Sequence, residues 1–261
     1  MIRAALAVAL LMVGLGVPAH AASGPLTDQQ FQSFTGSRYT SRYHLYAAGL
    51  DWSKPVGLLV YADGSGEYGL KNPTSRYLLG GTNGLRAVAK RNNMILLTPF
   101  APNRACADGD GSCWYMGDTV GYARWAEELV TWVQGRYPIN RSRVVVGGYS
   151  SGAQLTTEWW IPSGAAQRTS TDLAVAISYG GTPKMTFATT DPAFKAGLHI
   201  TWDVGTRDPS YKNDGNYGVS AGHAWYTSRG WETSLVLVSG EDHDRDGQFG
   251  LVMEREIRTN L

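Results

Sequence analysis

Residues 143–153 read Arg-Val-Val-Val-Gly-Gly-Tyr-Ser-Ser-Gly-Ala. Val144, Val145 and Val146 form a short β-branched run, the pattern of a strand buried on both faces. Two glycines end it, and Ser151-Gly152-Ala153-Gln154-Leu155 is compatible with the start of a helix. Between them lies Gly148-Tyr149-Ser150-Ser151-Gly152, a G-x-S-x-G pattern in strand–turn–helix context. A turn that tight brings the two backbones together, and a Cβ two residues either side of the serine would collide. Ser150 is therefore expected in a strained conformation, with its hydroxyl presented at the carboxyl end of the sheet. A Gly/Ser-rich turn without chemistry is the bland reading, and the flanking strand and helix weigh against it.

Outward from this stretch, apolar runs suited to buried strands alternate with amphipathic segments. Residues 43–50 suit an early strand, and 56–61, 94–99, 173–179, 199–204 and 234–238 suit later ones. A helix is expected over 120–137, where Tyr122, Trp125, Ala126, Leu129, Val130 and Val133 recur every three or four residues. Others are expected over 151–160, 218–228 and 251–258, and 74–91 suggests a helix or helical pair broken at Gly80-Gly81. Residues 22–42 show no clear period. This alternation predicts an α/β fold with a mostly parallel central sheet flanked by helices on both faces. No repeat or linker interrupts it, so residues 22–261 are expected to form one domain.

Residues 1–21 read as a signal peptide. Arg3 supplies the positive start, residues 4–17 are apolar apart from glycines, and Ala19-His20-Ala21 has the small-x-small pattern of a cleavage site. The apolar stretch is short for a membrane span and no later segment replaces it, so export without a span is expected. Loss of Arg3 takes Lys+Arg from 23 to 22, against 22 Asp+Glu. A formally neutral chain offers no support for a nucleic-acid partner. The two cysteines, Cys106 and Cys113, bracket a polar segment and read as a structural disulfide, stabilising by roughly 2–3 kcal/mol through loop closure. With no companion Cys or nearby His they are not read as a zinc site.

An activated serine needs a base, and the base an orienting acid. Asp208 follows the strand at 199–204 in a Gly-x-x-Asp turn, at the rim where Ser150 is expected. Asp203, within that strand, is the less favoured rival. His243 follows the last strand and completes the order Ser…Asp…His. His223 lies in an expected helix, His199 opens a strand on the opposite edge, and His44 reads as a satisfied strand histidine. Backbone N–H donors for an oxyanion are expected from Ser151 and from Gly64 and Ser65, in the glycine-rich loop after the strand at 56–61. Asp242-His243-Asp244-Arg245-Asp246-Gly247 matches the opening of a calcium loop, but position 12 is Met253 with Glu254 one residue late. It is read as a solvated acidic loop beside His243, with no metal and no cofactor expected.

With Gly148-Tyr149-Ser150-Ser151-Gly152, Asp208 and His243 in this order, the chain resembles an α/β-hydrolase over residues 43–261. It is most similar to exported esterases of the polyhydroxybutyrate-depolymerase and feruloyl/acetylxylan-esterase kind. The resemblance implies a Ser-His-Asp triad, an acyl-enzyme and an ester substrate, either polysaccharide-linked acyl groups or a polyester. Many relatives carry His-Gly in the oxyanion loop where this sequence has Asp63-Gly64. That places a carboxylate near the site, with the expectation that it disfavours anionic acyl groups. The short segment between the strands ending near Gly181 and starting near His199 leaves no room for a large lid domain. An open rim suits a bulky ester, with Trp114, Trp159, Trp160 and Trp225 as candidates to stack on sugar or aryl rings; Trp159 and Trp160 read equally well as core. Acyltransferase or peptidase use of the same triad, and a non-catalytic carbohydrate-binding role, are the alternatives.

Overall fold

The computed structural model describes residues 27–107, 109–211 and 218–261; the expected signal peptide, residues 1–21, lies outside them. Eight strands form one sheet in the order β1-β2-β4-β3-β5-β6-β7-β8. β1 (Gln29–Thr35) and β2 (Thr40–Tyr46) pair antiparallel, and β2 is antiparallel to β4 (Met94–Pro99). From β4 the sheet runs parallel through β3 (Val56–Ala62), β5 (Ile139–Tyr149), β6 (Leu173–Ile177), β7 (His199–Gly205) and β8 (Glu232–Val238). The mostly parallel sheet expected from the alternating pattern is the one observed.

Strand side chains alternate between two cores. Leu58, Val60, Val144 and Val146 face one layer, where α3 (Thr119–Arg136) lays down Tyr122, Trp125, Leu129 and Val133. α7 (Val219–Thr227) covers the same face with Val219 and Tyr226. Leu59, Tyr61 and Val145 face the other layer, against Leu85 and Val88 of α2 (Leu85–Arg91) and Phe249, Met253 and Ile257 of α8 (Phe249–Asn260). Being covered on both faces is why the central strands read as unbroken apolar runs.

Two segments depart from expectation. Residues 29–35 form β1, which residues 22–42 did not announce. This edge strand is mostly solvent-facing and bulged between Gln29 and Gln32, with Phe31 at φ 53°, so its side chains keep no simple alternation. The helix expected from residue 74 begins only at Leu85. A short α1 (Tyr68–Lys71) precedes it, and residues 72–84 fold back on themselves. There the Gly80 N–H donates to Ser75 O and Leu85 N–H to Leu78 O. A Cβ on Gly80 would lie 2.3 Å from Thr74 O, so this reversal depends on glycine.

Trp114, Trp159 and Trp160 were candidates to stack on substrate, the last two equally candidates for the core; all three belong to the core and are at most 5% exposed. Trp159 and Trp160 end a π-helical stretch (Leu155–Trp160) that continues α4 (Ser151–Gln154), precedes the short α5 (Ala165–Arg168) and turns both indoles inward under α3. A Trp160→Ala variant is expected to lose roughly 3–5 kcal/mol of unfolding free energy in urea denaturation. A loss below about 1 kcal/mol would contradict its place in the core.

Candidate active site

β5 ends at Tyr149 and α4 begins at Ser151, so a single residue, Ser150, makes the turn. Its backbone sits at φ 51° and ψ −112°, outside the regions open to an unstrained L-residue. The two glycines allow it. A Cβ on Gly148 would lie 2.3 Å from the Gly152 carbonyl carbon, and one on Gly152 would lie 2.1 Å from Ala62 O. The Ser150 N–H donates to Ile177 O at the end of β6, which ties the turn to the neighbouring strand.

The side chains expected to meet Ser150 do meet it. His243 Nε2 is 3.0 Å from Ser150 Oγ, and its Nδ1 is 3.0 and 3.1 Å from the two carboxylate oxygens of Asp208. Asp208 lies in the turn after β7 with its side chain wholly buried, and its Oδ1 also accepts the Ser210 N–H at 2.8 Å. Burial pushes its carboxyl up, but the hydrogen bond and charge of His243, with the Ser210 contacts, outweigh it and hold the group below its ordinary value. The rival Asp203 is buried within β7 and faces Arg245 and Arg255. His223 contacts Thr227 and Thr233, His199 contacts Ser234 and Glu232, and His44 is held between Phe31 N–H and Leu70 O.

The glycine-rich loop after β3 is built on two buried carboxyls. Asp63 accepts the Gly64 N–H at 2.9 Å and the Gly69 N–H at 3.0 Å. That commits Gly64, expected as an oxyanion donor, and leaves Ser65 as the residue of the pair that lines the cavity. Asp63 is 2% exposed, folded under the loop, so it cannot face an acyl group as the sequence suggested. Glu67, at φ 51° and fully buried, accepts from Ala101 N–H and from Ser112 Oγ (2.7 Å) and pairs with Arg104 at 3.3 Å. The Gly66 N–H donates to Ser112 O at 2.8 Å. The loop is thereby fastened to the segment closed by the Cys106–Cys113 disulfide, whose Cα atoms are 5.7 Å apart.

A cavity of ≈ 450 Å³ opens beside Ser150, His243 and Ser65. Tyr115, Tyr149, Tyr179, Gln154 and Asp110 complete its wall, and the sequence had assigned none of them to the site. Tyr149, the variable residue before the serine, packs 5.3 Å from the His243 ring. Trp225 is stacked on Phe187 and is not among the lining residues. The segment between β6 and β7 holds only the short α6 (Pro192–Gly197), so among the described residues no lid domain covers the opening. In the acidic loop, Asp242 pairs with Arg207 at 2.6 Å and Asp244 accepts the Asp246 N–H.

The strand order, the glycine-flanked serine turn and the position of each partner after β5, β7 and β8 decide the architecture. The chain has the α/β-hydrolase fold. Among solved structures it is similar to a feruloyl esterase module from Clostridium thermocellum, at a TM-score of 0.61 and 12% identity over 91% of this chain and 88% of that one. It is also similar to an α/β serine hydrolase without a lid from Xanthomonas campestris (TM-score 0.54, 11% identity, 91% and 94% covered). An S-formylglutathione hydrolase from Agrobacterium tumefaciens gives a TM-score of 0.55 at 14% identity, with 88% and 94% covered. No family model matches the sequence, and no curated protein matches it.

Three buried carboxyls in this fold lie above their ordinary range, chiefly because burial penalises the anion: Asp63 at about 6, Glu67 at about 7 and Glu158 at about 7. From the unfolded values, 3.8 for Asp and 4.5 for Glu, up to these, the folded chain keeps protons that the unfolded chain has released. Their contribution to stability therefore falls as pH rises through that window. Glu158→Gln, which keeps an acceptor for the Gly181 N–H, should melt above wild type at about pH 8. Its Tm should also fall less steeply between about pH 4.5 and 7. A Tm–pH slope equal to that of wild type would contradict the assignment.

Proposed function

We propose that this chain is an exported serine esterase, with Ser150 as nucleophile, His243 as general base and Asp208 as the acid that orients it. The observation that carries the reading is the imidazole bridging Ser150 Oγ and a buried carboxylate, at 3.0 Å on either side. His243 Nε2 takes the serine proton as Oγ attacks the ester carbonyl, then returns it to the leaving alcohol. Water, activated the same way, releases the acid from the acyl-enzyme. The Ser65 and Ser151 N–H groups would receive the oxyanion, one from the loop after β3 and one at the start of α4. Similarity in fold to a feruloyl esterase module and to a lidless serine hydrolase agrees with this chemistry.

The reading extends to residues 1–21 as an export signal and to 22–261 as one catalytic domain. The disulfide suits an oxidising compartment, and no helix among the described residues is long and apolar enough to cross a membrane. Polysaccharide-linked acyl groups or a polyester are the substrate classes favoured. The cavity wall brings three phenols, an amide and a carboxylate to the opening, groups that contact rings and hydroxyls.

Wild type should take a fluorophosphonate probe at one serine, and Ser150→Ala should not. Ser150→Ala and His243→Ala should each lower kcat by at least about 10⁴-fold on a simple aryl ester. A folded wild-type chain that takes no probe would leave the non-catalytic reading. Preference for amides, or transfer to added alcohols, would reassign the bond or the acceptor.

A further inference from the structure

Arg245 lies two residues beyond His243, in the turn between β8 and α8. Its side chain runs back beneath the turn and is 3% exposed. Nε and Nη2 both reach Oδ1 of Asp203 at 2.9 Å, and Nη1 lies 3.5 Å from Glu241 Oε2. Asp203 is wholly buried in β7, and its second oxygen takes Arg255 Nη2 at 2.7 Å. Arg255 donates on to Glu256, which accepts from Thr201 Oγ1 at 2.9 Å. A guanidinium buried this far from water is retained only where its partners are fixed, and here β7 and α8 fix them.

The same strand therefore holds the histidine turn twice. Asp208, after β7, grips the imidazole itself, and Asp203, five residues earlier, grips the chain two residues past it. The backbone at that second hold is strained. Arg245 and Asp246 both adopt positive φ, 51° and 48°, a conformation that side-chain-bearing residues rarely take unless their surroundings impose it. Arg245 is absent from the cavity wall.

We propose that Arg245 is a positioning residue: its buried pair with Asp203 sets the turn that places the His243 ring between Asp208 and Ser150. The proposal rests on the reading of Ser150 and His243 as the catalytic pair. A displacement of about 1 Å in a reacting group can cost on the order of 10²-fold in rate, so the pair acts on the chemical step and not on substrate binding. A purely structural pair would instead lower the melting temperature and leave kcat per folded molecule unchanged.

The test compares the full chain with Arg245→Gln and Arg245→Lys on an aryl ester, below the melting temperature of each variant, with the folded fraction measured by circular dichroism. Arg245→Gln should lower kcat by at least about 10-fold, with KM within about twofold of wild type. Fluorophosphonate labelling of Ser150 should slow in parallel. Arg245→Lys keeps the charge but not the fork, and should fall between the two. If Arg245→Gln does not fold, Arg245→Lys decides alone, by a fall in kcat at constant KM. Arg245→Gln, folded and with kcat within about twofold of wild type, overturns the proposal while leaving the esterase reading intact, and so does an Arg245→Lys variant with kcat preserved to that degree where Arg245→Gln does not fold. A wild-type chain that neither labels nor hydrolyses overturns both.

Discussion

A backbone approach too close for any side chain is what the geometry of the site depends on. At Gly148 and Gly152 the end of β5, the start of α4 and the carbonyl of Ala62 on β3 meet within distances that no Cβ could occupy. This contact forces Ser150 into its strained turn, and it brings β3 alongside. The loop leaving β3 therefore emerges next to the serine, and Ser65 lines the same cavity as Ser150. Strain at one residue is thus set by packing among three elements, which is how such a conformation persists.

Around that contact the carboxyl edge of the sheet is organised by buried acids. Asp63 and Glu67 follow β3, and Asp203 and Asp208 belong to β7 and the turn after it. Each holds a loop: Asp63 through backbone N–H groups, Glu67 through Ser112 and Ala101, Asp203 through Arg245, Asp208 through His243. Loops at the rim of an α/β sheet have little apolar surface with which to fix themselves. A buried carboxyl with two or three donors provides a directional alternative. Burial pushes Asp63 and Glu67 above their ordinary range, whereas the histidine partner brings Asp208 below it.

The elbow and its partners were legible because each follows a strand whose apolar run is unmistakable, so chain order alone brought Asp208 and His243 to the rim near Ser150. The central strands were legible for the same reason. β1 was hidden because an exposed, bulged edge strand carries neither an apolar run nor strict alternation. The reversal over 72–84 was mistaken for helix because its apolar residues, Leu78 and Leu79, are buried without helical hydrogen bonding. Trp159 and Trp160 stayed open between substrate and core because residue type and an expected open rim say nothing of which way a π-helical turn points them. Of the tyrosines that do line the cavity, Tyr149 ends β5, Tyr179 lies two residues past β6, and Tyr115 follows the disulfide. Only the three-dimensional rim brings these positions together.

The role of Asp63 changes the meaning of the Asp-Gly pair in the loop. A carboxylate pointing into the cavity would repel anionic substrates. One folded beneath the loop, accepting N–H groups on either side of Ser65, shapes the backbone that presents Ser65 instead. The disulfide enters the same frame. It closes a short segment, so its effect on chain entropy is modest, and its consequence is local. Ser112, inside the closed loop, bonds both Glu67 and Gly66, so order in that segment passes directly to the residues flanking Ser65. Asp110, in the same closed segment, lines the cavity next to Gly66, whose added Cβ would lie 3.3 Å from the Asp110 carbonyl oxygen. The segment thus forms part of the cavity wall and also braces the loop beside it, which is why the disulfide belongs to the architecture of the site.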